Sequence, residues 1–238
     1  MQHFGGRPAG PVAGSVGETS EATQAPDRLW DVPDWGYLLR EIYEVYRVMG
    51  AGGSELIRAH QRAVREATSR TLAANAPVLA RVPESKPVCK HLARALDLGK
   101  QGVAGSLVSA IGNVRDRLSW QYGYERVPKG LIDTFGWCEF AGPVGPIETP
   151  EVIIGQVLFA PGVIYPAHAH DIAESYVVLT GSISQNDDGV FMPGSMIFNP
   201  PGRRHRITVG KRAPALLLYA WHGPRERLAG QKLKFRRA

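Results

Sequence analysis

The sequence predicts a mainly β protein in which a helical N-terminal region of about 100 residues packs on a C-terminal all-β barrel or sandwich. Three observations predict it. Between Trp35 and Leu118 apolar residues recur at steps of three and four, the period of an amphipathic helix. After Tyr124 the chain changes to short β-rich runs separated by Gly and Pro. No long helical period interrupts those runs, which argues for strands that pair with one another rather than for alternating helix and strand units.

Taken in order, residues 1–27 are rich in Gly, Pro, Ala, Ser and Thr and hold few large apolar side chains, so they cannot offset their ordering entropy and are expected to be disordered. Leu38, Ile42, Val45 and Met49 mark one face of a first helix. The run GAGGS at 50–54 stops it, and Ser54 is placed to cap a second helix reaching about Asn75. Pro77, Pro83 and Pro87 punctuate a connection, a third helix is expected from Val88 to Leu98, and a fourth carries Val103, Leu107, Ile111, Val114 and Leu118 on one face. Short helices are stable mainly through tertiary burial, so these four need a surface to cover. The runs LIDTFGWCEF, EVIIGQVLFA, ESYVVLTGSIS, GVFMPGSMIF, HRITV and PALLLYAW supply one. The expected division is a tail at 1–27, a helical region at 28–125, a β-barrel at 126–224 and a basic tail at 225–238.

Composition sets limits on function. The chain has 238 residues, 44% hydrophobic and 21% charged, which is ordinary for a globular protein with a sizeable core. There is no apolar run of the roughly 20 residues that would cross a bilayer, and the N-terminus lacks a signal-like apolar stretch, so the expected location is cytoplasmic, with no membrane partner. Cys89 and Cys138 are isolated and are read as reduced thiols. The net charge of +6 is unevenly spread: residues 1–130 hold seventeen Lys and Arg against thirteen Asp and Glu, residues 131–224 five against eight, and residues 225–238 six against one. Basicity is thus concentrated in a short tail and no compact basic face emerges, so no nucleic-acid partner is expected.

The chemistry concentrates between Gly162 and Gly181, in GVIYPAHAHDIAESYVVLTG. His168, His170 and Glu174 are spaced to converge on one ion, and His205 arrives thirty-one residues after Glu174. In extended backbone equal parity means a shared face, so His168 and His170 point together, and Glu174 and Tyr176 share one face of the following strand while Ser175, Val177 and Leu179 take the other. Burying imidazoles and a carboxylate is costly unless they coordinate or satisfy one another. One divalent transition metal is the simplest partner, and the mixed N/O donor set suits Zn, Fe, Mn, Ni or Co. His60, His91 and His222, outside that spacing, are read as structural.

Gly162, five residues, His168-Ala169-His170, three residues, Glu174, six residues, Gly181 resembles the first motif of the cupin superfamily. Gly194, five residues, Pro200-Pro201-Gly202, two residues, His205 resembles the second, with twelve residues between the motifs. Val209 stands where that motif often has Asn. The resemblance implies a cupin (double-stranded β-helix or jelly-roll) barrel with the N-terminal helices packed on it. A finer resemblance is to the cupin-type dimethylsulfoniopropionate (DMSP) lyases, in particular the DddL type. It is carried by Tyr165-Pro166-Ala167-His168, Glu174-Ser175-Tyr176, His205, and the segments KPVCKHLARALDL, SWQYGYERVP and LLLYAWHGPRERL.

That resemblance implies a β-elimination splitting DMSP, a small zwitterionic sulfonium, into dimethyl sulfide and acrylate. It implies His168, His170, Glu174 and His205 as metal ligands, although in DMSP lyases the second His, the Glu, a Tyr and the late His can form the set. Tyr176 is then the first candidate for the base and Tyr165 the second, since a neighbouring cation favours an ionised phenol. Trp137, Phe159, Phe198, Tyr219 and Trp221 are candidates to face the sulfonium, and Arg203, Arg204 and Arg206 to attract the carboxylate. A homodimer is a family-level expectation. Other readings of the same residues are an Fe(II) oxygenase, a sugar isomerase, a small-molecule sensor, or a structural cupin.

Overall fold

The structure, a computed structural model, describes residues 25–49, 54–123 and 127–229. The expected disordered tail lies almost wholly outside these residues, as do most of the GAGGS stop and the end of the basic tail. The helical part begins with α1 (Pro33–Val48), whose first turn accepts Pro33 because the N–H it lacks would have no helical partner. α1 buries Trp35, Leu38, Leu39, Ile42, Val45 and Tyr46. Ser54 caps α2 (Glu55–Ala73) by accepting the Ile57 N–H at 3.3 Å. A 3-10 turn at Pro87–His91 leads into α3 (Leu92–Lys100), and α4 (Gly105–Val114) follows. Val103 does not join the buried face of α4. It precedes the first helical residue and is 79% exposed, whereas Leu107, Ile111, Val114 and Leu118 are buried.

A short pair, β1 (Asp27–Arg28) with β2 (Pro77–Val78), ties the start of the described chain to the end of α2. The remaining strands are β3 (Phe135–Ala141), β4 (Val152–Phe159), β5 (Ile164–His168), β6 (Ala173–Thr180), β7 (Ile183–Gln185), β8 (Val190–Phe191), β9 (Met196–Asn199), β10 (His205–Val209) and β11 (Ala215–His222). They form a five-stranded sheet in the order β3-β4-β11-β6-β9 and a four-stranded sheet in the order β5-β10-β7-β8. Pairing is antiparallel within both sheets, and among the described residues no strand of one pairs with a strand of the other. The result is a two-sheet jelly roll rather than one continuous closed barrel. A last short helix, α5 (Arg225–Ala229), opens the segment read as a basic tail.

Alternation along the strands divides the interior in two. Val177, Leu179, Leu216, Leu218 and Ala220 point outward and join one core with the apolar faces of α1, α3 and α4. Tyr176, Val178, Leu217 and Tyr219 point inward and join Tyr165, Ile183 and Ile207 of the other sheet. Each fully buried Leu, Ile or Val contributes about 1.5–3 kcal/mol, so the helices and the outer sheet face stabilise one another. Gly181 closes the β6 to β7 turn with φ +77°. A side chain there would be strained, and its Cβ would lie 3.0 Å from the Ala215 Cα.

Candidate metal centre

The two sheets meet at the histidines. β10 returns antiparallel to β5, and the register sets His205 directly opposite His168. Their ring centroids are 4.1 Å apart. His170 lies just past the end of β5, and Glu174 stands on β6 of the facing sheet. Ligand atoms of His170, Glu174 and His205 all lie within 4.8 Å of one another, and all three residues are buried. His168 sits at the edge of that triplet, its ring centroid 6.3 Å from that of His170.

Each imidazole is oriented by a backbone carbonyl close in sequence. Nδ1–H of His168 donates to Pro166 at 3.0 Å, that of His170 to Ile172 at 2.6 Å, and that of His205 to Arg203 at 3.1 Å. This leaves the lone pair of each neutral ring on Nε2, the tautomer a metal-binding histidine needs. The Glu174 carboxylate is equally constrained. Oε1 accepts the Trp221 indole N–H at 2.7 Å, while Oε2 accepts Asn199 Nδ2 at 3.0 Å and lies 2.9 Å from His170 Nε2. Asn199 Oδ1 in turn accepts Gln185 Nε2 at 2.8 Å. His205 Nε2 is buried, 3.3 Å from Glu174 Oε2, and has no hydrogen-bond partner. An orphaned buried nitrogen beside an anchored carboxylate is costly in an apolar interior, and a cation between them removes that cost. The donor set therefore fits a divalent transition metal.

Electrostatics follow the same geometry. Burial drives the His168 pKa down to about 4, helped by the neighbouring His205, so this ring is neutral at physiological pH. Burial also works against a charged His170, but the Glu174 carboxylate and its hydrogen bond outweigh it and raise the pKa. For Glu174 burial favours the neutral acid, yet His170 and His205 hold the carboxyl well below the usual range.

Next to the cluster is a cavity of about 270 Å³, close to the lower end of the ~300–1,000 Å³ typical of ligand sites. It is lined by His168 and Glu174, by both tyrosines singled out in the sequence, and by several of the aromatic candidates. Tyr176 is buried with its ring centroid 6.2 Å from that of His205. Tyr165 is buried with its ring edge-on to His168 at 4.9 Å. Trp137, Phe159, Tyr219 and Trp221 all face the cavity. Phe198 does not: parity on β9 sends it to the helix side, where its ring lies 5.1 Å from that of His60. Two of the three arginines beside His205 are engaged elsewhere, Arg203 with Asp188 and Arg206 with Asp187 at the surface.

Sequence reasoning missed two groups. Asn199 and Gln185 hold Glu174 in place, and only strand register shows it. Asn199 did lie inside the second motif, directly before Pro200, and that position was the available signal. The sequence marks Trp221 as an aromatic wall, and the structure adds its indole N–H as a donor to Glu174.

Two facing antiparallel sheets with a histidine and carboxylate cluster between them define a cupin-type protein. Among solved structures, a chain from the crystal structures of the DMSP lyases RdDddP and RnDddQII shares this fold with a TM-score of 0.62 at 22% identity, covering 87% of this chain and 99% of that one. The DMSP lyase DddQ from Ruegeria pomeroyi gives 0.58 at 21% identity, covering 80% and 92%. The sequence profile of the dimethylsulfoniopropionate lyase family matches residues 60–217. A Cereibacter sphaeroides protein described as a putative dimethylsulfoniopropionate lyase, DddL, is 50% identical over 209 residues, 87% of this chain and 90% of the relative. The chain belongs to the dimethylsulfoniopropionate lyase family and is an enzyme of the lyase class.

Proposed function

We propose that the protein is a metal-dependent carbon–sulfur lyase that cleaves DMSP to dimethyl sulfide and acrylate. The observation that carries this reading is the orphaned Nε2 of His205 facing Glu174 and His170 at the wall of a small, aromatic-lined cavity. The residues that would hold the ion are His170, Glu174 and His205, with His168 beside them. Bound there, a divalent transition metal acts as a Lewis acid for the charge that develops next to the substrate carboxylate.

The chain's own groups do the rest. Tyr176, on the same face of β6 as Glu174, takes the proton from the carbon next to the carboxylate. The electron pair of that C–H bond becomes the second bond of the alkene, and the C–S pair leaves with sulfur, giving neutral dimethyl sulfide and acrylate. Tyr165, packed edge-on to His168, orients the substrate and the imidazole. The aromatic walls limit contact with bulk water, which strengthens the electrostatic contacts inside.

The test is an anaerobic one. Purified, metal-loaded protein in a sealed vial with DMSP is expected to release dimethyl sulfide and acrylate in equal amounts, and to lose that activity reversibly to a chelator. No sulfide release would end the lyase reading, and a requirement for oxygen would turn it towards an oxygenase.

A further inference from the structure

One buried carboxylate has no part in the chemistry above. Glu139 on β3 lies in the same row across the five-stranded sheet as Gly155, Tyr219 and Tyr176, so its side chain faces the cavity that holds Glu174. It is 9% exposed. Its Oε2 accepts the backbone N–H groups of Val144 and Gly145, both at 3.1 Å. Among the described residues its Oε1 accepts no hydrogen bond, and no cation pairs with it. Arg81 is the nearest help, and its guanidinium is spent on the carbonyls of Gly145 and Pro143, at 2.9 and 3.5 Å.

Three aromatic rings line the cavity together with Glu139. Trp137 meets Tyr219 edge-on at 6.4 Å between centroids, and Tyr219 meets Trp221 at 6.2 Å. The row position between Glu139 and Tyr219 is Gly155, and a Cβ there would lie 2.6 Å from the Tyr219 hydroxyl. That glycine lets the Tyr219 phenol lie close over β4, in the same row as the carboxylate. Burial favours the neutral acid here and moves the Glu139 pKa to about 7, against the two backbone N–H groups that stabilise the anion. A half-desolvated carboxylate with a vacant oxygen, in a cavity walled by three aromatic rings, is matched to a cation that is itself greasy and cannot donate hydrogen bonds. A primary ammonium or a guanidinium would leave N–H groups unsatisfied against those rings; a fully alkylated sulfonium or ammonium has none.

We propose that Glu139, with Trp137, Tyr219 and Trp221, is the counter-ion site for the sulfonium end of the substrate and selects onium carboxylates over neutral ones. The proposal rests on the DMSP reading for the identity of the onium. It also carries a kinetic signature. Sulfur loses its positive charge as the C–S bond breaks, so a carboxylate beside it stabilises the bound substrate more than the transition state. Glu139 therefore lowers KM without raising kcat, and the neutral sulfide is not held after cleavage.

The test uses the metal-loaded enzyme and Glu139→Gln, which keeps an acceptor for Val144 and Gly145 but removes the charge. KM for DMSP should rise on the order of ten- to a hundred-fold in the variant while kcat stays level or increases. Binding is read in parallel with two non-sulfonium carboxylates of similar shape, 3-(trimethylammonio)propanoate, with a cationic end, and 4,4-dimethylpentanoate, whose tert-butyl end is uncharged. The wild type should prefer the cationic ligand by about ten-fold or more, Glu139→Gln should lose most of that preference and keep only the part the rings supply, and Glu139→Asp should recover part of the loss. An unchanged preference in Glu139→Gln, or a fall in kcat with KM constant, overturns the proposal. If Glu139→Gln does not fold, Trp137→Leu must reduce the preference several-fold, and an unchanged ratio there overturns it equally. A wild type that prefers the cationic ligand yet releases no dimethyl sulfide would defeat the DMSP reading and leave the onium site standing.

Discussion

Strand β6 carries two opposite solutions to burying polar groups. On its helix-covered face Ser175 lies among Val177, Leu179 and the α1 side chains, and its hydroxyl is 2.7 Å from Tyr46 Oη and 2.9 Å from His60 Nε2. Those three groups satisfy one another, and burial holds His60 neutral with a pKa of about 4. On the cavity face, one residue away in each direction, Glu174 and Tyr176 belong to a region with unmet capacity: an orphaned nitrogen on His205 and a vacant oxygen on Glu139. The polar atoms of the first face specify packing. Those of the second are left available to a ligand, and their desolvation cost is offset only when one binds.

This contrast can be broken from either side. The largest effect is expected from His205→Ala, which removes the orphaned nitrogen and should abolish both metal content, read by elemental analysis, and turnover. Tyr176→Phe should separate the two, keeping near-normal metal while kcat falls by about 10²–10⁴-fold; a fully active Phe variant removes Tyr176 as the base. Asn199→Ala frees Glu174 Oε2 from its anchor and should weaken metal affinity about 10–100-fold in a competitive chelator titration.

Smaller effects fall on stability. The raised Glu139 pKa means the folded protein retains a proton that the unfolded chain loses between pH 4.5 and about 7. The Glu139 contribution to stability should therefore fall as pH rises through that window and level off above it, opposite in sign to the contributions of the buried neutral His60 and His168. Glu139→Gln escapes the penalty, so urea unfolding should show the variant gaining on the wild type by up to ~3 kcal/mol at pH 8 and by nothing near pH 4. A constant difference across pH would contradict the buried, unpaired carboxylate. The smallest change is Tyr46→Phe on the helix-covered face, which should cost about 1 kcal/mol in the same measurement and leave kcat unaltered.

Much of this organisation was legible in the sequence, and the limits have physical causes. Parity on ESYVVL separated Glu174 and Tyr176 from Ser175, Val177 and Leu179 because a strand has a side-chain period of two, and the sheet keeps that division. Motif spacing brought His205 to His170 and Glu174 because its glycines and prolines make the turns that return β10 to β5. Cross-strand relations were not legible. Asn199, Trp221 and Glu139 owe their places to register across three and four strands, and a single sequence carries no register. The two-residue β1 and β2 were too short to leave any periodicity, and Val103 was drawn into the α4 face because helix boundaries shift easily by one or two residues.

The account stands on the metal centre built from His170, Glu174 and His205. The most direct test is to strip the protein with a chelator, titrate a single divalent metal back, and follow dimethyl sulfide release from DMSP against bound metal. The account predicts no release from the stripped protein and a linear rise that stops at one ion per chain, with the same titration flat in His205→Ala. Full release from metal-free protein would contradict it.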